Sequence, residues 1–96
     1  MNFEWDPAKA AANLRKHGVS FKEAATIFAD ALAVTYFDPD HSFEESRFVT
    51  VGVARSGRLL IVAHTDRDDN IRIISARKTT RRERKQYEEG TEEGRP

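Results

Sequence analysis

Residues 47–78 read RFVTVGVARSGRLLIVAHTDRDDNIRIISARK, and the fold turns on how this stretch is divided. Three runs rich in β-branched side chains, Arg47 to Arg55, Arg58 to Asp66 and Ile71 to Ala76, predict three strands. Ser56-Gly57 is a two-residue hairpin signal, and Arg67-Asp68-Asp69-Asn70 is a second, looser turn. Upstream, Ala31 to Phe37 has strand composition and Asp38-Pro39-Asp40 ends it. Short connections between consecutive strands imply an antiparallel meander of four. A Ser56-Gly57 turn sets Arg55 opposite Arg58, so Val49, Val51 and Val53 lie beside His64, Val62 and Leu60 on the bulkier face, the expected core. Phe48, Thr50, Gly52 and Ala54 then meet Thr65, Ala63, Ile61 and Leu59 on a shallower face open to a ligand. A slip of one residue reverses every assignment.

Helices flank the meander. Asp6-Pro7 is a helix start, with Asp6 capping free N–H groups and Pro7 at the first helical position; Gly18 ends that helix after His17. Ser20-Phe21-Lys22-Glu23 is a capping box opening a second helix to about Asp30, with Phe21, Ala24, Ala25, Ile27 and Phe28 as its apolar face. Thr80-Arg81-Arg82-Glu83 is another box, opening a last helix from about Arg81 to Gly90. The expectation is an α+β fold, ααββββα: two N-terminal helices, a four-stranded antiparallel sheet and a C-terminal helix. Residues 1–90 form one domain, and 91–96 a disordered acidic tail.

The chain has 96 residues and no cysteine, which excludes disulfides, thiolate metal sites and a cysteine nucleophile. Neither a signal segment nor a membrane span is evident, so a cytoplasmic protein is expected. Its 16 basic and 16 acidic side chains cancel overall but are unevenly placed. Between Arg72 and Lys85, seven cations face one anion, Glu83, a concentration of charge suited to phosphate. His17, His41 and His64 show no metal-ligand spacing, and Asp66, Asp68 and Asp69 lack the Gly and Glu of a calcium loop. No cofactor is expected, since no glycine-rich phosphate loop occurs.

Three separated blocks resemble the BrnT family of bacterial type II toxin–antitoxin toxins. They are Phe3-Glu4-Trp5-Asp6-Pro7-Ala8-Lys9, then Asn13 with Lys16-His17-Gly18-Val19-Ser20-Phe21 and Glu23-Ala24, and last Arg72-Ile73-Ile74-Ser75-Ala76-Arg77 with Glu83-Arg84 and Tyr87. The resemblance spans Phe3 to about Tyr87. It implies a RelE-like ribonuclease fold, messenger RNA as substrate, and a BrnA-type antitoxin with a ribbon-helix-helix domain. A 2:2 complex would follow, touching operator DNA only through the antitoxin. Thr79 stands where many relatives carry Ala.

Cleavage of RNA without metal needs a base for the 2′-hydroxyl, cations for the phosphorane and an acid for the leaving 5′-oxygen. The catalytic candidates are Arg72, Arg77, His17, His64, Glu83 and Tyr87; Lys16, Arg67, Lys78, Arg81 and Arg84 are candidates for binding RNA. Arginines rank above imidazoles, because RelE-like sites lean on Arg, Lys and Tyr. Each candidate also has a plain structural reading. His17 can sit at the carbonyl end of its helix, His64 can be a core histidine, Glu83 a cap, Tyr87 a core edge, and Arg81 and Arg82 a solvated face. Arg72, a charge in an apolar strand, needs an exposed face or a partner. The rival function is a non-catalytic module binding nucleic acid or protein through residues 72–85. A transcription regulator in its own right lacks a helix-turn-helix signal.

Overall fold

The computed structural model describes residues 1–93, with side chains through residue 90. Three helices, α1 (Pro7–His17), α2 (Phe21–Ala25) and α3 (Arg81–Glu93), accompany five strands: β1 (Asn2–Glu4), β2 (Val34–Phe37), β3 (Arg47–Val53), β4 (Leu59–Arg67) and β5 (Asn70–Lys78). The sheet order is β1-β5-β4-β3-β2. The expected antiparallel meander is present as β2 to β5, but β1 adds a fifth strand parallel to β5, pairing Phe3 with Ile71 and Glu4 with Arg72. The sheet is therefore mixed. Three residues before a helix cap are too short for an alternating pattern to show.

The hairpin register differs by one residue from the expected one. Val51 faces Ile61, and Thr50 faces Val62. The loop holds three residues, Arg55-Ser56-Gly57: Gly57 N–H donates to Ala54 C=O at 2.8 Å, and Ala54 N–H to Arg58 C=O at 2.8 Å. Gly57 has φ +92°, the left-handed conformation that closes such a loop. The Asp68-Asp69 turn, read as looser, is the tighter one. Arg67 pairs with Asn70 across it, with Asp68 at φ 57°.

The slip decides which face is core. Thr50 and Gly52 of β3 join Leu60, Val62 and His64 of β4 against the helices, whereas Val49, Val51 and Val53 turn to the outer face with Ile61 and Ala63. The core gathers Val19, Phe21, Ala24, Ile27, Ala54, Leu60, Val62, Ile73 and Ala76, all under 4% exposed. Gly52 is set by close approach, because a Cβ there would stand 3.0 Å from Ala33 Cβ and 3.2 Å from Ile27 O.

Helix starts follow the sequence. Asp6 accepts from Ala8 N–H at 2.8 Å, and Gly18 stops α1 at φ 67°. Ser20 accepts from Glu23 N–H at 3.0 Å, but the Glu23 carboxylate, expected to reach back, instead takes Arg58 and Ser56 of the β3–β4 hairpin. The second helix is correspondingly short, giving way at Thr26 to a 3-10 turn through Ala29. Thr80 and Glu83 form the complete box, Thr80 N–H to Glu83 at 2.8 Å and Glu83 N–H to Thr80 Oγ1 at 3.2 Å. α3 continues past the expected Gly90 stop, since Gly90 does not take a positive φ. The end of the expected tail, residues 94–96, lies outside the described residues.

Candidate active site

Strand alternation, interrupted by a bulge at Ile74, turns Arg72, Ser75 and Arg77 of β5 to the outer face of the sheet. α3 follows β5 directly and contributes to the same face. There Glu83, Gln86 and Tyr87 meet Tyr36, Val51 and Ile61 around a cavity of about 100 Å³. Glu83 receives two hydrogen bonds from the Arg77 guanidinium, at 2.8 and 2.9 Å. Arg77, together with Thr80, pulls the Glu83 carboxyl down to about 2. A carboxylate held that far down is a poor proton acceptor, so Glu83 orients Arg77 and caps α3. Tyr87 donates its hydroxyl to Asp30 Oδ2 at 2.8 Å. Asp30 also accepts from Val53 N–H at 2.9 Å and Leu32 N–H at 2.9 Å. Burial opposes the Asp30 charge, but these donors prevail and its carboxyl lies below the usual range.

The structure brings Arg77, Glu83 and Tyr87 together; the remaining candidates lie apart. Arg72 sits toward the other end of β5, five positions away, which is roughly 16 Å along a strand. There the Arg72 guanidinium is bound to Glu4 at 2.8 Å. Asn70 and Arg72 together lower the Glu4 carboxyl. The partner that Arg72 required is thus supplied by β1.

His64 is a core residue, 5% exposed. Phe28 meets its ring edge-on and Phe48 stacks on it, with centroids at 4.9 and 6.0 Å. Its Nε2 and Thr50 Oγ1 are 2.7 Å apart, Thr50 bonds on to Thr35 at 2.7 Å, and Nδ1 is buried without a partner. Burial pushes the His64 pKa down. His17, by contrast, lines an open groove between α1 and β5 with Lys9, Ala12, Asn13, Lys16, Ile74 and Ser75. Of the RNA-binding candidates, Lys16 shares this groove. Arg67 ends β4, Lys78 ends β5, Arg81 starts α3 and Arg84 pairs loosely with Glu88 at 3.6 Å.

Sequence reading did not single out Asp30, Gln86, Tyr36 or Ser75, and it assigned Glu4 and Asn13 no role. Asn13 is the most consequential omission. It is 7% exposed, its amide nitrogen donates to Val19 O at 2.9 Å and Ala76 O at 2.8 Å, and its Oδ1 accepts from Ala76 N–H at 3.1 Å. The side chain thereby pairs with β5 beyond the end of β1. The available signal was Asn13's place in the second block of the family resemblance. Among the described residues, no three His, Asp or Glu side chains converge as a metal site would require. No helix among them is long and apolar enough to cross a membrane.

Fold and site together define a small α+β protein with a cation-bearing outer sheet face crossed by its last helix. The family model described as the ribonuclease toxin BrnT of type II toxin–antitoxin systems matches residues 5–83, and the chain belongs to that family. A solved relative is the Brucella abortus ribonuclease toxin BrnT, whose crystal structure superposes with a TM-score of 0.61 at 19% identity, covering 84% of this chain and 99% of that one. Among curated proteins, none matches.

Proposed function

We propose that this chain is a toxin that cleaves single-stranded RNA, messenger RNA above all, without a metal ion, and so halts translation in the cytoplasm until an antitoxin covers the outer sheet face. The observation that carries this reading is the Arg77 guanidinium held by Glu83 beside Tyr87 on that face. In the proposed reaction the 2′-oxygen attacks the adjacent phosphorus and loses its proton. The bond to the 5′-oxygen breaks, that oxygen takes a proton, and a 2′,3′-cyclic phosphate remains. Arg77, oriented by its two bonds to Glu83, offsets the extra charge of the phosphorane through the guanidinium N–H groups that Glu83 and the Lys78 carbonyl do not engage. Tyr87, which shares the cavity with Glu83 and donates its hydroxyl to Asp30, is assigned the proton exchange in this reading. Of the two histidine candidates, only His17 is open to substrate. Arg81 and Arg84 on α3, with Arg67 and Lys78 at the strand ends, serve the RNA backbone.

An exposed cationic face of this kind calls for a complementary partner. The family's toxin–antitoxin character supports a BrnA-type antitoxin with a ribbon-helix-helix domain, in a 2:2 complex that meets operator DNA through the antitoxin alone. The test is incubation of the purified protein with RNA in excess chelator. Fragments ending in cyclic phosphate are expected; mobility shifts without fragments would return the chain to the non-catalytic binding module. Copurification from native expression tests the partner.

A further inference from the structure

The groove between α1 and β5 has features that the reaction at Arg77 does not use. Its wall is one stripe of α1, Lys9, Ala12, Asn13 and Lys16, spaced as neighbours on a helix face. Lys9 and Lys16 are two turns apart, about 10.5 Å along the axis. Between them, Ala12 leaves space and Asn13 fastens the helix to β5 by its hydrogen bonds with Ala76. The opposite wall is β5, with Ile74 and the exposed Ser75, and the groove encloses about 230 Å³.

Its charge is uncommitted. Arg58, Arg72 and Arg77 each share their charge with a carboxylate, Glu23, Glu4 and Glu83. No ion pair engages Lys9, Lys16 or His17 among the described residues, and the Ser75 hydroxyl makes no hydrogen bond there. Helical side chains lean toward the helix N-terminus, so the Lys16 ammonium is carried away from the carbonyl end of α1, where an anion would be repelled. Ser75 and Arg77 are alternate residues on one face of β5, about 6.6 Å apart. A strand of nucleic acid on Arg77 therefore reaches the groove at the next outward position.

From this we infer that the α1–β5 groove is a second phosphate-binding subsite. It takes a phosphodiester of single-stranded RNA flanking the scissile bond, with Lys9, Lys16 and the Ser75 hydroxyl as its donors and His17 at its end. The inference rests on the ribonuclease reading for its substrate, but not on any role of Arg77 in the chemistry. Asn13 acts here as a positioning residue.

The probe is a short 2′-O-methyl oligoribonucleotide, which cannot be cut, bound to the parent, to K9A/K16A and to K9R/K16R across a salt series. Alanine favours helix at both exposed positions, so folding is retained and is checked by thermal melting. The double alanine variant is expected to bind on the order of tenfold more weakly, with a logarithmic salt slope shallower by about 1.4, two contacts at roughly 0.7 each on a single strand. The arginine variant should restore both, and the His17 ring and Ser75 amide resonances should move when the oligonucleotide is added to the parent. An unchanged affinity and slope in K9A/K16A overturns the inference, as do His17 and Ser75 resonances that respond only to an oligoglutamate peptide, which would make the groove a protein-docking cleft. Cleavage of unmodified RNA by the parent is read separately. Cutting with an unaffected groove variant removes the subsite alone, whereas a groove effect without cutting supports the subsite and removes the ribonuclease reading.

Discussion

Arg77 and Glu83 are joined by two parallel hydrogen bonds, and the same carboxylate accepts the Thr80 N–H at the start of α3. One side chain therefore orients the cation and fixes the helix that walls the cavity. Glu83→Gln should loosen both. With the carboxyl moved from 4.5 to about 2, its stabilisation is complete above about pH 4.5 and is lost as pH falls through about 2. Arg77 is partly exposed, so screening limits the effect to about 1 kcal/mol. Urea titrations should show the variant less stable than the parent at pH 6, with the gap closing toward pH 2; a constant gap would assign the loss to packing.

Tyr87→Phe keeps the ring against Val51 and Ile61 but removes the hydrogen bond to Asp30. The stability cost should be about 1 kcal/mol. If the phenol exchanges a proton with substrate, cleavage should fall on the order of a hundredfold. Single-turnover rates compared with denaturation midpoints separate the two effects, and a rate equal to the parent's would leave Tyr87 as an anchor for α3.

Asn13→Ala removes three hydrogen bonds and leaves the Ala76 N–H and C=O buried without partners. The expected loss is about 3 kcal/mol. Hydrogen exchange at Ala76 should accelerate more than at Val62 in the centre of the sheet. Equal protection in the variant would show that α1 is held by other contacts.

His64 gives a second pH signature. Its folded pKa is lowered by burial from 6.5, so an unfolded chain takes up a proton more readily. Stability should be unaffected above about pH 6.5 and should fall as the pH drops below it. His64→Gln should abolish that slope while leaving the Glu83-dependent one at lower pH. A slope that survives the change would remove His64 as its source.

Much of the frame was legible because its signals are local. Asp6, Gly18, Ser20 and Thr80 each mark a helix end through their own side chain or backbone conformation. The misread parts depend on distant or cooperative features. The β3–β4 register required knowing that Gly57 adopts positive φ inside a three-residue loop, and the error moved Val49, Val51 and Val53 from the outer face to the core. β1 has no pattern of its own and is specified by the open edge of β5. For the same reason Glu4, 68 residues from Arg72, could not be named as its partner. The cluster of Arg77, Glu83 and Tyr87 could be picked as residue types, but Asp30 behind Tyr87 is visible only once the chain has folded.

The parallel pairing of β1 with β5 also orders events during synthesis. Asn2–Glu4 leave the ribosome well before Asn70, Ile71 and Arg72, the residues they pair with. Asp30 likewise waits for Tyr87, and Asn13 for Ala76. Each of these contacts has a large sequence separation and forms only once its later partner has been synthesised. The sheet edge and the helix across it are thus completed only after residues 70–87 have been made, so a nascent chain lacks its assembled site until that stretch has left the machinery it is proposed to silence.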